Sequence, residues 1–160
     1  MNLKIREAIA NDYLDINNLV IEVHNLHVKN RADVFIAVEN PLPKAQFEDL
    51  LNREDTKLFV VENTDNNDLV AYSIVQMMAT PILPIVSQSR FVHIDNFCIK
   101  ANYKRNGIGK LLFQFIVDYA KSEKVSSLQL TVWEFNQDAI EFYEALGMNT
   151  RTRKMELNVS

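Results

Sequence analysis

Glycine is nearly absent from this chain: three residues in 160, at positions 107, 109 and 147. So few glycines leave few places where the backbone can turn left-handed without strain or lie against a ligand. Cysteine is scarcer still. Cys98 stands alone, which excludes an internal disulfide and any multi-cysteine zinc site and fits a reducing cytoplasm. No apolar run approaches the ~20 residues of a membrane span. The opening residues, Met1-Asn2-Leu3-Lys4-Ile5-Arg6-Glu7, lack the apolar core of a secretory signal. Cationic excess is missing too: 17 Lys and Arg against 21 Asp and Glu give a net charge of −4. That balance argues against a general nucleic-acid binder and leans towards a cationic partner. Repeats, low-complexity stretches and Pro-rich linkers are absent, so residues 1–160 read as a single domain.

What is present is ordinary in bulk and informative in pattern. Hydrophobic residues make up 48% and charged residues 24%, typical of a globular protein. A chain of this length buries roughly 70% of its unfolded surface. Residues 3–8 alternate like a first strand, and Asn11 or Asp12 can cap a helix carrying Leu14, Ile16, Leu19, Val20 and Val23. Residues 24–43 read as partly irregular, and 44–51 as a short second helix. Two strands, 58–62 and 69–78, flank the polar turn 63–68. The proline-bearing stretch 80–89 is a loop, and 91–99 a further strand. Ile108, Leu111, Leu112, Phe115, Ile116, Tyr119 and Ala120 recur at helical spacing. A strand over 127–133, a helix over 137–146 capped by Gly147 and a last strand over 148–157 complete a β-α-α-β-β-β-α-β-α-β order.

The two close glycines stand where a strand hands over to the strongest helix, beside Lys104, Arg105 and Lys110. The first N–H groups of a helix lack partners within it, and the macrodipole adds partial positive charge. That combination suits a phosphate group. A lone G-x-G also serves as a plain turn, so the context has to decide.

Context comes from two blocks. After a strand, Tyr103-Lys104-Arg105-Asn106-Gly107-Ile108-Gly109 resembles the acetyl-CoA pyrophosphate motif of GNAT-type N-acetyltransferases, written Arg/Gln-x-x-Gly-x-Gly/Ala. Lys104 takes the Arg/Gln place, keeping the charge without the guanidinium fork. Downstream, Asn136 followed by Ala139-Ile140-Glu141-Phe142-Tyr143 and Gly147-Met148 resembles the family's second block, with Met148 in place of Phe. The close resemblance covers about residues 91–156.

The resemblance implies a three-layer α/β fold with a central mixed, mostly antiparallel sheet, helices on both faces and splayed middle strands. It implies acetyl-CoA as co-substrate, no metal, and an amine acceptor. The main-chain N–H groups of Arg105, Asn106, Gly107, Ile108, Gly109 and Lys110 would hold the pyrophosphate, with Lys104 adding charge. Main-chain groups of Phe97, Cys98 and Ile99 would pair with pantetheine, and an N–H there could stabilise the oxyanion. Asn136 would bond the cofactor arm, and Tyr143 would act as general acid beside the thioester sulfur. Without the resemblance Asn136 reads as a helix N-cap and Tyr143 as a core aromatic with a polar tip.

On the strand 91–99, His93, Asp95 and Phe97 share one face because side chains alternate. His93 and Asp95 occupy positions where relatives place catalytic residues, and an imidazole suits proton transfer near neutrality. The other readings are a hydrogen-bonding network at His93, a structural Asp95, and a water chain as the base. Strict alternation also points Cys98 away from them, which disfavours an acetyl-cysteine intermediate. His24, His27, Arg31, Asp33 and Phe35, with the loop 81–88, are the candidate acceptor side.

The expected activity is therefore direct acetyl transfer to a primary amine in a ternary complex. The alternative is a non-catalytic acyl-CoA sensor, and a homodimer is left open. A dinucleotide-binding fold is excluded by Leu112, which stands where its fingerprint needs a third glycine.

Overall fold

The computed structural model describes residues 1–160. In chain order it contains β1 (Leu3–Glu7), a 3-10 turn (Ala10–Asp12), α1 (Tyr13–Asn30), α2 (Lys44–Asn52), β2 (Thr56–Asn63), β3 (Asp68–Ala79) and β4 (Arg90–Ile99). A second 3-10 turn (Ala101–Tyr103), α3 (Ile108–Ser122), β5 (Ser127–Leu130) and α4 (Gln137–Ala145) follow. The sheet order is β1-β2-β3-β4-β5, with β1 to β4 antiparallel and β5 parallel to β4.

Alternation along the central strands builds two cores, one on each face. Leu58, Val60, Tyr72, Ile74 and Cys98 pack with Ile16, Leu19 and Phe47 of α1 and α2. Phe59, Val61, Val75, Val92 and Ile94 pack with Ile108, Leu112, Ile116 and Ala120 of α3. The four α3 residues recur every fourth position, so one stripe faces the sheet. Burying each large side chain stabilises by roughly 1.5–3 kcal/mol relative to exposure. The three-layer arrangement matches the expectation.

Four details differ from the sequence reading. Residues 24–30 are helical, so His24 and His27 belong to the last turns of α1. Asp12 stands at the α1 N-cap position without capping it; its carboxylate takes two bonds from Arg6 at 2.8 and 2.9 Å and one from Ile9 N–H at 2.7 Å. β5 stops at Leu130 rather than 133: its ladder with β4 ends at the Ile94–Leu130 pair, where β4 bulges at Asp95. Finally, residues 149–160 form no strand in this chain, and all of them are exposed. Their alternation identifies a segment able to pair, but alternation does not supply a partner edge.

β4 also breaks strict alternation. Its register with β3 slips between Ile74 and Val75, which face Asn96 and Ile94, leaving Asp95 as an extra residue. Such a bulge inverts the facing of everything beyond it. Val92 and Ile94 face α3, and so do Phe97 and Ile99 after the bulge. His93 therefore faces the opposite side from Phe97, contrary to the strict-alternation reading, and Cys98 shares the His93 side.

Candidate active site

The turn between β4 and α3 leaves a continuous row of free main-chain donors. The first α3 bond runs from Leu111 N–H to the Gly107 carbonyl at 3.1 Å. None of the N–H groups of residues 105–110 has a protein acceptor. Arg105 at φ +66° and Gly107 at φ +79° bend the chain so that this row curls around the helix N-terminus. Successive amides in such a turn form an anion-binding concavity, reinforced by the helix dipole. Lys104, Arg105, Asn106, Gly107 and Lys110 are exposed around it.

The two glycines serve different needs. A side chain at Gly107 would meet nothing within 4 Å, so only its left-handed backbone calls for glycine. At Gly109 a Cβ would lie 3.0 Å from Phe142 Cζ and 3.1 Å from its Cε1. Gly109 is thus the contact that lets α4 approach α3.

Other groups hold the turn in place. Asn106 Nδ2 donates to the Tyr103 carbonyl at 3.1 Å. Tyr103 Oη donates to Asp68 Oδ2 at 2.8 Å, tying the turn to the β2–β3 connection. Tyr103 received no role from sequence, since its partner lies 35 residues away.

Beside the turn the sheet is split. β4 and β5 pair only from Phe91–Ser127 to Ile94–Leu130. From Asp95 to Ile99, β4 keeps β3 on one side and has no strand on the other. This is the splay that places Phe97, Cys98 and Ile99 on an open main-chain edge.

α4 lies across the split on the α3 side. Asn136 caps it, its Oδ1 accepting from Ala139 N–H at 3.2 Å. Gly147 at φ +99° closes its other end, with Met148 N–H bonded to the Tyr143 carbonyl at 3.1 Å. Tyr143 packs against Phe97, Phe113 and Phe142, with ring centroids 6.0, 6.2 and 5.2 Å apart. Burial raises its phenol above the ordinary tyrosine range. A phenol in that state stays protonated: it can donate a proton and cannot act as a base.

On the opposite face His93 Nδ1 and Asp95 Oδ1 are 2.6 Å apart. In a neutral imidazole so placed, Nδ1–H donates to the carboxylate and Nε2 is the free acceptor. Cys98 lies on this same face, yet it is buried beneath α1 with Sγ 3.8 Å from the Leu19 carbonyl. Burial, with the Glu22 charge, pushes its thiol up to about 12. A protonated, enclosed thiol is no nucleophile, so the case against an acetyl-cysteine rests on burial rather than on facing.

The acceptor-side candidates come together around an aromatic cluster. Phe35 packs edge-on against His27 at 5.0 Å and Trp133 at 5.4 Å, and His27 meets Phe135 at 5.5 Å. Arg31 lies 5.1 Å over the Trp133 ring and pairs with Asp33 at 2.7 Å. His24 Nε2 holds the segment after α1 through the Ile36 carbonyl at 2.7 Å. Trp133 and Phe135, which sequence reading left without a role, directly precede Asn136. In the loop between β3 and β4, Ile82 and Ile85 are more than 90% exposed.

Comparison with known proteins adds an independent line. Residues 22–148 match the model of the "Acetyltransferase (GNAT) family". A curated relative, [Ribosomal protein bS18]-alanine N-acetyltransferase of Escherichia coli K12, is 27% identical over 126 residues, covering 79% of this chain and 73% of that protein. Thialysine N-epsilon-acetyltransferase of Bos taurus is 28% identical over 65 residues, 41% of this chain and 38% of its own. Among solved structures, a mutant of the BH1408 protein from Bacillus halodurans is 34% identical with a TM-score of 0.95, covering 98% of this chain and 99% of that one.

Proposed function

The chain belongs to the GNAT family of acetyltransferases, whose members use acetyl-CoA as co-substrate, and from that premise we propose that it moves the acetyl group directly to a primary amine within a ternary complex. The observation that carries this reading is the row of six unpartnered N–H groups at residues 105–110, opening beside the split between β4 and β5. Those amides take the coenzyme diphosphate, with Lys104, Arg105 and Lys110 around it. The free edge at Phe97, Cys98 and Ile99 takes the pantetheine arm, steadied by Asn136. Asn136 Oδ1 already caps α4, so its Nδ2 is the atom left to donate.

Chemistry follows from the two faces of the split. The acceptor nitrogen attacks the thioester carbonyl from the His93 and Asp95 side, and a C–N bond forms. A main-chain N–H on the free β4 edge stabilises the oxyanion. The C–S bond then breaks, and Tyr143 gives its proton to the departing sulfur. The nitrogen's own proton passes to His93 Nε2, directly or through water. A thiolate is a modest base with a conjugate acid near ~8.5, so the acid at Tyr143 assists rather than decides.

The acceptor is an amine on a small molecule or a peptide. Relatives named for alanine of a ribosomal protein and for thialysine support the amine class. The residues around Phe35, Trp133 and Phe135 form the wall it would meet. The test is release of free CoA from acetyl-CoA across a panel of amino acids, polyamines, aminoglycosides and peptides with free N-termini. Turnover with at least one amine is expected. Tight acetyl-CoA binding with no turnover on any amine contradicts the catalytic reading and leaves the sensor.

A further inference from the structure

The sheet register sets four polar side chains in one row. Thr56 pairs with Gln76, Gln76 with His93, and His93 with Gln129, each directly opposite the next across β2, β3, β4 and β5. Directly opposed residues point to the same face, with Cβ atoms ~4.5–5.5 Å apart in an antiparallel pair. This is the face that Leu58 and Ile74 share with α1 and α2, whereas Val75 and Val92 turn towards α3. Gln76 is half-buried on it.

Carboxylates fix both middle members of the row. Asp55 Oδ1 accepts from Thr56 Oγ1 at 2.9 Å, and Asp55 Oδ2 accepts from Gln76 Nε2 at 3.4 Å. The Thr56 and Gln76 bonds hold the Asp55 carboxyl below its ordinary range, so it stays ionised and can only accept. The Gln76 atom facing it is therefore the NH2, and Oε1 is left over. Asp95 does the same for His93, taking Nδ1–H and leaving Nε2. Gln129 has no such lock: its Nε2 lies 3.1 Å from Ser127 Oγ, a hydroxyl that donates as well as accepts. Two fixed hydrogen-bond acceptors, Gln76 Oε1 and His93 Nε2, thus belong to directly opposed residues on neighbouring strands.

Granted direct transfer to an amine, the reading on which this rests, we propose that Gln76 Oε1 holds the attacking nitrogen by one N–H while His93 Nε2 takes the proton of the other, and that Asp55 positions Gln76. A neutral primary amine carries two N–H groups and a lone pair, so it satisfies both acceptors and still attacks. As the C–N bond forms the nitrogen becomes positive, and its bond to Gln76 strengthens. The proton facing His93 leaves, and the N–H facing Gln76 stays in the amide product. An N-methyl amine has a single N–H and must leave Gln76 unpaired, which costs a half-buried polar group its partner. Gln76 therefore selects primary over secondary amines.

Trialanine and Nα-acetyl-lysine, with any other primary amine that turns over, are assayed beside their N-methyl derivatives. The wild type should favour the primary form by at least about tenfold in kcat/KM. Gln76→Met, close in volume, should lower kcat/KM for the primary amine about 10- to 100-fold, the worth of a hydrogen bond to a charged group, and for the N-methyl form by less than about threefold. Asp55→Asn keeps Gln76 but lets its amide turn, because the new side chain can donate to Oε1. It should narrow the preference to the same degree, and the double variant should lose no more than Gln76→Met alone. Should Gln76→Met fail to fold, Asp55→Asn reads the same ratio. A preference left unchanged by either variant, or losses that multiply in the double variant, overturns the role of Gln76 while transfer itself stands. No turnover on any primary amine overturns direct transfer and the role of Gln76 with it.

Discussion

Replacing Gly107 separates the backbone requirement of the turn from its contacts. At φ +79° an alanine sits in the left-handed region, which costs an L-residue roughly 1–2 kcal/mol. No atom lies within 4 Å of the added Cβ, so there is no packing term. That strain must appear in one of two places. If the turn keeps its shape, the free protein loses the stability, and Tm falls by about 2–8 °C at this chain size. If the turn relaxes, acetyl-CoA must restore it, and affinity falls about 5- to 30-fold at 1.4 kcal/mol per tenfold. Differential scanning fluorimetry and titration calorimetry together should recover the same ~1–2 kcal/mol. Gly107→Glu adds a carboxylate among the free amides, so its affinity loss should exceed a further tenfold. Gly147→Ala is the control: φ +99°, equally open, but at the C-terminal end of α4. It should lower Tm without weakening acetyl-CoA. A folded Gly107→Glu protein with wild-type affinity refutes the reasoning.

Four further outcomes are expected. Tyr143→Phe should lower kcat by about 10- to 100-fold with little change in acetyl-CoA affinity, because only the proton is lost; the reverse pattern makes it a packing residue. His93→Ala should abolish one limb of the pH–rate profile, and Asp95→Asn should weaken turnover through the wrong tautomer; an unaltered profile in both frees them from the proton path. Cys98→Ala should retain activity, and Cys98 should resist iodoacetamide at pH 8, since burial holds its thiol near 12. Asp12→Asn should cost about 2 kcal/mol at pH 7, read by urea unfolding. Burial opposes ionisation of Asp12, but the Arg6 bonds and charge and the Ile9 N–H outweigh it and hold the carboxyl below its ordinary range. Its contribution is therefore complete above the unfolded value near ~4 and is lost as pH falls through the lower folded one. The gap between Asp12→Asn and wild type should close in acid, and a gap that persists at pH 2 contradicts the pairing.

Local chemistry explains what could be read from residues alone. Gly107 announces a left-handed turn, and the fourfold spacing of Ile108, Leu112, Ile116 and Ala120 announces the helix behind it. Gly147 and Asn136 mark both ends of α4 through caps that involve only neighbouring residues. What stayed hidden depends on distant partners. The slip at Asp95 exists because β3 imposes its register from beyond the intervening loop, and it reverses Phe97 against His93. Gly109 has a second use that its motif does not announce: Phe142 lies 3.0 Å from where its Cβ would be. The tie from Tyr103 to Asp68 spans 35 residues and leaves no local mark. The segment after Met148 alternates as a strand should, yet it pairs with no other strand.

The central claim is that the main-chain amides of residues 105–110 receive the coenzyme diphosphate. Titrating isotopically labelled protein with CoA and following amide resonances tests it at the atoms concerned. The largest shifts should fall on residues 105–110, with a second set at 97–99. Shifts concentrated elsewhere, or none at saturating CoA, contradict it.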